Sequence, residues 1–292
     1  MRYNEGMERT IIFYHGSCPD GFGGAYAAWK KFGDTAEYVP LHRGEEELPE
    51  LSGADVYFID FTYEKEDMHA IAERAASLTI LDHHEGVRSV VESFPNHVFD
   101  NDRSGATIAW NQFHPGAPVP KLLQFIQDDD LFHFKLPDTR SVLAYLGVNP
   151  FTFEFWDEVA AKLDDPIESE KLISTMRAYG EYFEKLAELA ADKAHPVLFE
   201  GHEVMFATAH PYKPMKSLVG NLLAKAHPPF ALVVAAHPKG FGVSIRGDGS
   251  IDVSEIAQRY GGNGHKSSAG FLIPAGGTLP WTLIEDDEDT RD

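Results

Sequence analysis

Short apolar runs alternate with stretches of helical period through the first third of the chain. TIIFY (Thr10–Tyr14) is continuously apolar and reads as a buried strand. Gly21–Gly24 then reads as a glycine-rich turn, and AYAAWKKF after it as a helix. The unit recurs: VYFID (Val56–Asp60) precedes a helical stretch around Lys65–Ala76, and LTIL (Leu78–Leu81) runs into Asp82-His83-His84. HVFD (His97–Asp100) then leads into the helical SGATIAWNQF. Strand-helix alternation predicts an α/β fold with an open parallel sheet and flanking helices, in which ligands bind beyond the carboxyl ends of the strands.

From Leu122 to Ala194 the pattern is mostly helical, with amphipathic segments near Phe155–Leu163 and Ile167–Ala191. After His195-Pro196 it turns to strands, VLFEG, EVMFATA, FALVVAA and FGVSIR, followed by the helix DVSEIAQRY and a glycine cluster. This predicts an N-terminal domain over 1–165, a helical connector over 166–195 and a smaller C-terminal α/β domain over 196–292. The first six residues read as an extension and Ile284–Asp292 as an acidic tail. No fixed-period repeat is present.

Composition narrows the class. The 292 residues are 43% hydrophobic and 24% charged, an ordinary globular mix that argues against a disordered or fibrous chain. No apolar run approaches the ~20 residues that span a bilayer, and Met1–Arg9 lacks a signal peptide's apolar core, so a cytoplasmic location without membrane partners is expected. The single cysteine, Cys18, allows no internal disulfide. With 25 Lys and Arg against 46 Asp and Glu, the formal charge of −21 opposes non-specific binding to a long polyanion. Short phosphate substrates remain compatible.

Two clusters carry candidate chemistry. Asp60 ends one predicted strand, Asp82-His83-His84 ends the next, and the first strand runs into His15, Cys18 and Asp20. Singly, each has a structural alternative: Asp60 could cap a helix, and a strand-end histidine could be a satisfied structural group. Together they suit divalent ions, because burying so many acids without cations is costly and a mixed N/O donor set favours hydrolytic chemistry. The second cluster, GGNGHKSSAGF (Gly261–Phe271), could bring backbone amides close to an anion, with His265 and Lys266 adding donors. Its alternative is a helix C-cap followed by a turn.

These residues resemble the DHH phosphoesterases that carry a DHH-associated C-terminal domain. Asp82-His83-His84 matches the namesake motif, together with HGSCPDGFGGA at 15–25, FID at 58–60, FDNDRSGAT at 99–107, the acids Asp128–Asp130 and the 261–271 cluster. The C-terminal cluster is similar to the RecJ and nanoRNase branch rather than to family II pyrophosphatases. The resemblance implies two divalent ions, usually Mn2+ with Mg2+ as the alternative, bridged by Asp60. Asp20, His83 and Asp128 would complete one ion's shell, with Asp130 the fallback for Asp128, and His15 would serve the other ion. The commonest first motif has an aspartate where this chain has Cys18, which is either a thiolate ligand or a small buried residue. Asp82 would orient an imidazole.

The implied reaction is phosphodiester hydrolysis of short oligonucleotides to mononucleotides by metal-activated hydroxide. His84 and Arg103 would neutralise phosphoryl oxygens, and Arg246, Gly261, Gly262, Gly264 and His265 would hold the substrate's remote end in a cleft between domains. Expected partners are short single-stranded oligonucleotides or small nucleotide phosphates, with a second copy of the chain as a candidate homodimer. Alternatives are a phosphomonoesterase acting on phosphoadenosine phosphate, a phosphodiesterase of linear or cyclic dinucleotides, and a non-catalytic nucleotide-binding regulator.

Overall fold

A computed structural model describes residues 9–42 and 47–284. The predicted extension at the amino end and the acidic tail beyond Ile284 lie outside the described residues. The chain divides into two compact units, 1–180 and 181–292.

The first unit is built on five strands: β1 (Arg9–His15), β2 (Ala36–Leu41), β3 (Ala54–Ile59), β4 (Ser77–Asp82) and β5 (His97–Phe99). They form an all-parallel sheet in the order β2-β1-β3-β4-β5. Its central strands β1, β3 and β4 read as apolar runs because both faces are covered. On β1, Ile12 and Tyr14 enter one core with α1 (Pro19–Phe32), α4 (Gly105–Phe113) and α5 (Lys121–Asp130), whereas Ile11 and Phe13 enter another with Met68 and Ile71 of α2 (Lys65–Arg74). A short α3 spans Arg88–Val91. The order reverses at β1, so β1 and β3 flank the switch point where open α/β sheets bind ligands. His15 ends β1 and Asp60 follows β3 directly.

The predicted turn at Gly21–Gly24 is helical. These glycines sit inside α1 because a side chain would collide: a Cβ at Gly21 would stand 2.2 Å from the His15 carbonyl oxygen, and one at Gly24 2.3 Å from Ile59 Cγ2. Pro19 opens the helix at a position where its missing N–H costs nothing. The edge strand β2 was not predicted, since its half-buried sequence AEYVPL carries neither a continuous nor a regularly alternating apolar pattern.

Helices α6 (Thr139–Gly147), α7 (Phe153–Asp164) and α8 (Pro166–Ala191) complete the helical region, and the division between units falls within α8. The second unit has a seven-stranded sheet in the order β10-β11-β9-β8-β7-β6-β12. Its strands are β6 (His195–Phe199), β7 (His202–Thr208), β8 (Phe230–His237), β9 (Gly240–Gly247), β10 (Asn263–His265), β11 (Ser268–Pro274) and β12 (Thr282–Leu283). Helix α9 (Lys213–Ala226) connects β7 to β8, the parallel pair in this otherwise antiparallel sheet, and α10 (Val253–Arg259) follows β9. The architecture is α/β throughout, as the alternation predicted. Among the described residues no helix is long and apolar enough to cross a membrane.

Candidate metal centre and anion-binding face

The centre forms at the carboxyl ends of β1, β3 and β4. Asp60 is 3% exposed and adopts a left-handed backbone, φ +58°, a conformation costing about 1–3 kcal/mol outside glycine. It is held there by its N–H, which donates to the Leu81 carbonyl at 2.9 Å. Its two oxygens face different partners: Oδ2 lies 3.3 Å from His15 Nδ1, and Oδ1 lies 3.1 Å from His83 Nε2.

Asp20, on the first turn of α1, is 1% exposed and faces the amino end of α4. Its Oδ2 accepts from Gly105 N–H at 2.6 Å and its Oδ1 from Ala106 N–H at 2.9 Å. Asp20 Oδ2, Asp60 Oδ1 and Asp130 Oδ2 converge on His83 Nε2 at 3.6, 3.1 and 3.5 Å. Among the described residues three groups have the donors and the spacing to hold an ion: His15–Cys18–Asp60, Asp60–His83–His84 and Asp20–His83–Asp130, with one ligand atom per residue lying within 4.8 Å of the others.

The electrostatics are those of an anionic cluster. Burial and the Asp60 and Asp130 charges push the Asp20 carboxyl well above the usual range. Burial pushes Asp60 up as well, but hydrogen bonds with His15 and His83 more than offset it and hold it down at about 2. Burial pulls His83 down, yet its hydrogen bond with Asp60 and the charges of Asp20 and Asp130 raise it to about 9. Burial and the neighbouring Asp60 and Asp20 push the Cys18 thiol up. Carboxylate oxygens keep a second lone pair after accepting one hydrogen bond, so this imidazole, carboxylate and thiol set fits divalent cations.

Asp128 stands apart from this convergence. Its carboxylate is turned into its own loop, where Oδ1 accepts from Lys135 N–H at 2.9 Å and Oδ2 from Leu136 N–H at 3.0 Å and Thr139 Oγ1 at 2.5 Å. Asp130, at the last position of α5, is the acid that groups with Asp20 and His83. One helical residue between the two acids rotates them onto different faces.

Asp82 is fully buried and orients His84: Oδ1 lies 2.9 Å from His84 Nδ1 and also accepts the N–H groups of His83 and His84. Its Oδ2 accepts from Thr62 Oγ1 at 2.6 Å. The hydrogen bond with Asp82 raises the His84 pKa, and half of the side chain remains exposed. Arg103 lies in the loop before α4, exposed and paired with Asp100 at 3.3 Å. Sequence reasoning assigned no role to Thr62 or Gly105, although Gly105 lies within the matched stretch 99–107.

In the second unit Arg246 is 8% exposed and hydrogen-bonds to neutral groups: Nη2 donates to Ser217 Oγ at 2.8 Å and Nη1 to the Ile245 carbonyl at 2.9 Å. Burial lowers its pKa, and Lys216 is lowered by burial and by Arg246 and Lys213 beside it. Gly220 of α9 lets Arg246 lie against the helix, since a Cβ there would stand 2.7 Å from Arg246 Cγ. Across the sheet Arg246 pairs with Ser268, and Ser268 with His265, so the three occupy one row. Ser217 and Lys216 were not singled out in the sequence.

The glycine cluster is chiefly structural at its start. Gly261, φ +73°, ends α10: its N–H donates to the Gln258 carbonyl at 3.0 Å, and that of Gly262 to Ala257 at 2.9 Å, the Schellman pattern. Those two amides are therefore committed to the helix rather than offered to an anion. Gly264 belongs to the β10–β11 hairpin, where a Cβ would stand 2.3 Å from Ala269 Cα. His265 is exposed beyond it.

Comparison with solved structures places this architecture. The chain resembles an exopolyphosphatase-related protein from Bacteroides fragilis (TM-score 0.54, 13% identity, 93% of this chain and 88% of that one). It also resembles a pGpG-specific phosphodiesterase from Vibrio cholerae (0.52, 12%, 91% and 94%). A third similar structure is the DHH domain of a member of the S1p family of ribosomal proteins (0.50, 12%, 90% and 82%). The chain has the DHH-domain fold. No protein-family model matches it. Among curated proteins, this DHH-fold chain is 27% identical to the uncharacterized protein R106 of Acanthamoeba polyphaga mimivirus over 300 residues, covering 94% of this chain and 70% of that one.

Proposed function

We propose that this chain is a metal-dependent phosphoesterase that hydrolyses short oligonucleotides to mononucleotides. The observation that carries the reading is Asp60, whose two oxygens face two different donor groups at the switch point of a DHH-type sheet. His15 and Asp60, with Cys18 beside them, would hold one divalent ion, and Asp20, Asp60, His83 and Asp130 the other. Mn2+ is the favoured ion and Mg2+ the alternative. Bound ions of this kind acidify water and offset charge on phosphoryl oxygens.

The protein's own residues then divide the work. Asp82 fixes the His84 tautomer with Nδ1 toward the carboxylate, leaving Nε2 to face a phosphoryl or leaving-group oxygen. Arg103 would add positive charge if it exchanged Asp100 for substrate. Arg246 and His265 would bind a phosphate of the substrate: a buried guanidinium hydrogen-bonded to neutral groups retains its attraction for an anion. On this reading residues 1–165 would form the catalytic part, 166–195 the connector and 196–292 the substrate-binding part.

The pGpG-specific phosphodiesterase of similar fold favours a dinucleotide as a second reading of the substrate. Labelled di- to decanucleotides, phosphoadenosine phosphate and cyclic dinucleotides, each incubated with Mn2+ and resolved over time, separate the readings. Mononucleotides accumulating from the short oligomers are expected. Hydrolysis confined to phosphoadenosine phosphate or to one dinucleotide class would replace the oligonucleotide assignment, and no hydrolysis of any substrate would sink it.

A further inference from the structure

We propose that Cys18 ligates an ion through sulfur, making the two halves of the centre chemically unequal. This rests on the metal-centre reading above. The His15–Cys18–Asp60 group offers nitrogen, sulfur and oxygen, and its donor atoms already lie within 4.8 Å of one another. The Asp20–His83–Asp130 group offers one nitrogen and two carboxylates. Asp60 belongs to the first group through Oδ2 and faces His83 through Oδ1, so it joins a softer site to a harder one.

The backbone brings Cys18 to this position. Gly16 leaves β1 with its N–H on the Leu41 carbonyl at 2.7 Å, and Ser17 takes a left-handed conformation, φ +56°. Cys18 then occupies the N-cap of α1, its carbonyl accepting from Phe22 N–H at 3.0 Å. The tight loop returns the sulfur to the group that holds His15 and Asp60.

Donor softness sets the consequence. Thiolate selects Zn2+, Fe2+ or Co2+ over Mn2+ and Mg2+, whereas carboxylates suit Mn2+ and Mg2+. On this proposal a borderline ion replaces Mn2+ at the first site, while the second keeps Mn2+ or Mg2+, giving a mixed pair. On binding, the thiol proton is released to solvent and the S–metal bond takes its place.

The test begins with the full chain stripped by chelator and loaded with Co2+, with bound metal counted by elemental analysis. Two cobalt ions per chain and a thiolate-to-cobalt charge-transfer band in the near ultraviolet are expected. Cys18→Ser should lose the band while the second site stays filled. Cys18→Asp should shift uptake from an equimolar Zn2+ and Mn2+ mixture toward Mn2+ by at least about tenfold, the lower bound for perturbing even residues that only orient a ligand. Because Cys18 is the sole cysteine, alkylation of the unmutated chain supplies a measurement that needs no variant to fold: Zn2+ should protect it and Mg2+ should not. Bound cobalt with no charge-transfer band, or alkylation at equal rates with and without Zn2+, would overturn sulfur ligation and leave the metal centre standing. No bound metal of any kind would remove the centre itself.

Discussion

Gly105 is packed against Asp60 so closely that a Cβ at position 105 would stand 2.7 Å from the Asp60 Cβ and 3.3 Å from its Cα. The same atom would lie 3.0 Å from Asp20 Oδ2, which also accepts the Gly105 N–H. One glycine thus fixes the spacing of two carboxylates proposed to hold metal.

Gly105→Ala is expected to act on both stability and metal content. Overpacking against backbone costs about 1–3 kcal/mol, and moving Asp60 disturbs both donor groups. Thermal unfolding with and without Mn2+, combined with elemental analysis, checks this. A variant with unchanged melting temperature and full metal content would show that the contact relaxes freely.

The two acids of α5 should separate cleanly. Asp128→Asn removes a buried carboxylate that accepts from Lys135, Leu136 and Thr139. Hydrogen bonds to a charged group contribute about 1.5–3 kcal/mol each, so this variant should lose stability first. Asp130→Asn should instead keep its melting temperature in chelator and lose bound metal. The reverse pattern would return the ligand role to Asp128.

The pH dependence of the metal-free chain follows from His83 and Asp20. His83 is raised from its ordinary 6.5 to about 9, so its contribution is complete below 6.5 and is lost as pH rises through 9. Asp20, raised as a carboxyl, also contributes less as pH rises. Asp60, held at about 2, contributes above its ordinary 3.8 and loses that only as pH falls through 2, so it is constant across neutral pH. Metal binding needs neutral imidazole and ionised carboxylate, which reverses the trend. The melting temperature in chelator should therefore fall between pH 6.5 and 9, and the increment given by Mn2+ should widen over the same window. An increment independent of pH would argue that no proton leaves the site on binding.

The sequence made the strand ends legible because a strand buried on both faces has few ways to arrange five apolar residues, and Asp60 and Asp82-His83-His84 come directly after such runs. What could not be read was decided by packing at close range. Gly21 and Gly24 look like chain breakers, yet α1 is helical from Pro19, and close approach to His15 and Ile59 leaves no room for a Cβ at either position. Asp128 and Asp130 are chemically identical in sequence; only the rotation of α5 and the turn toward Thr139 tell them apart. Gly261-Gly262 has the composition of both an anion nest and a helix cap, and the bonds to Ala257 and Gln258 choose the cap. Ser217 and Gly220 gave no signal, since their part depends on the β9 residue Arg246, which is distant in sequence.

The second unit is expected to capture substrate without holding metal. Arg246 and His265 lie in one row of the C-terminal sheet, so they can share a phosphate or adjoining groups of one nucleotide. Binding energy from a remote contact can position the scissile phosphate, so its loss lowers kcat as well as raising KM. His265→Ala, which removes an exposed side chain, should leave folding and metal content unchanged. It should impair nucleotide substrates far more than bis-p-nitrophenyl phosphate, which lacks the remote phosphate. Arg246→Ala should show the same selectivity with a larger effect, about tenfold or more for a charge-assisted contact contributing at least 1.5 kcal/mol. Equal losses on both substrates, or loss of bound Mn2+, would place His265 with the centre that cleaves the bond and would end the division of labour between capture and hydrolysis.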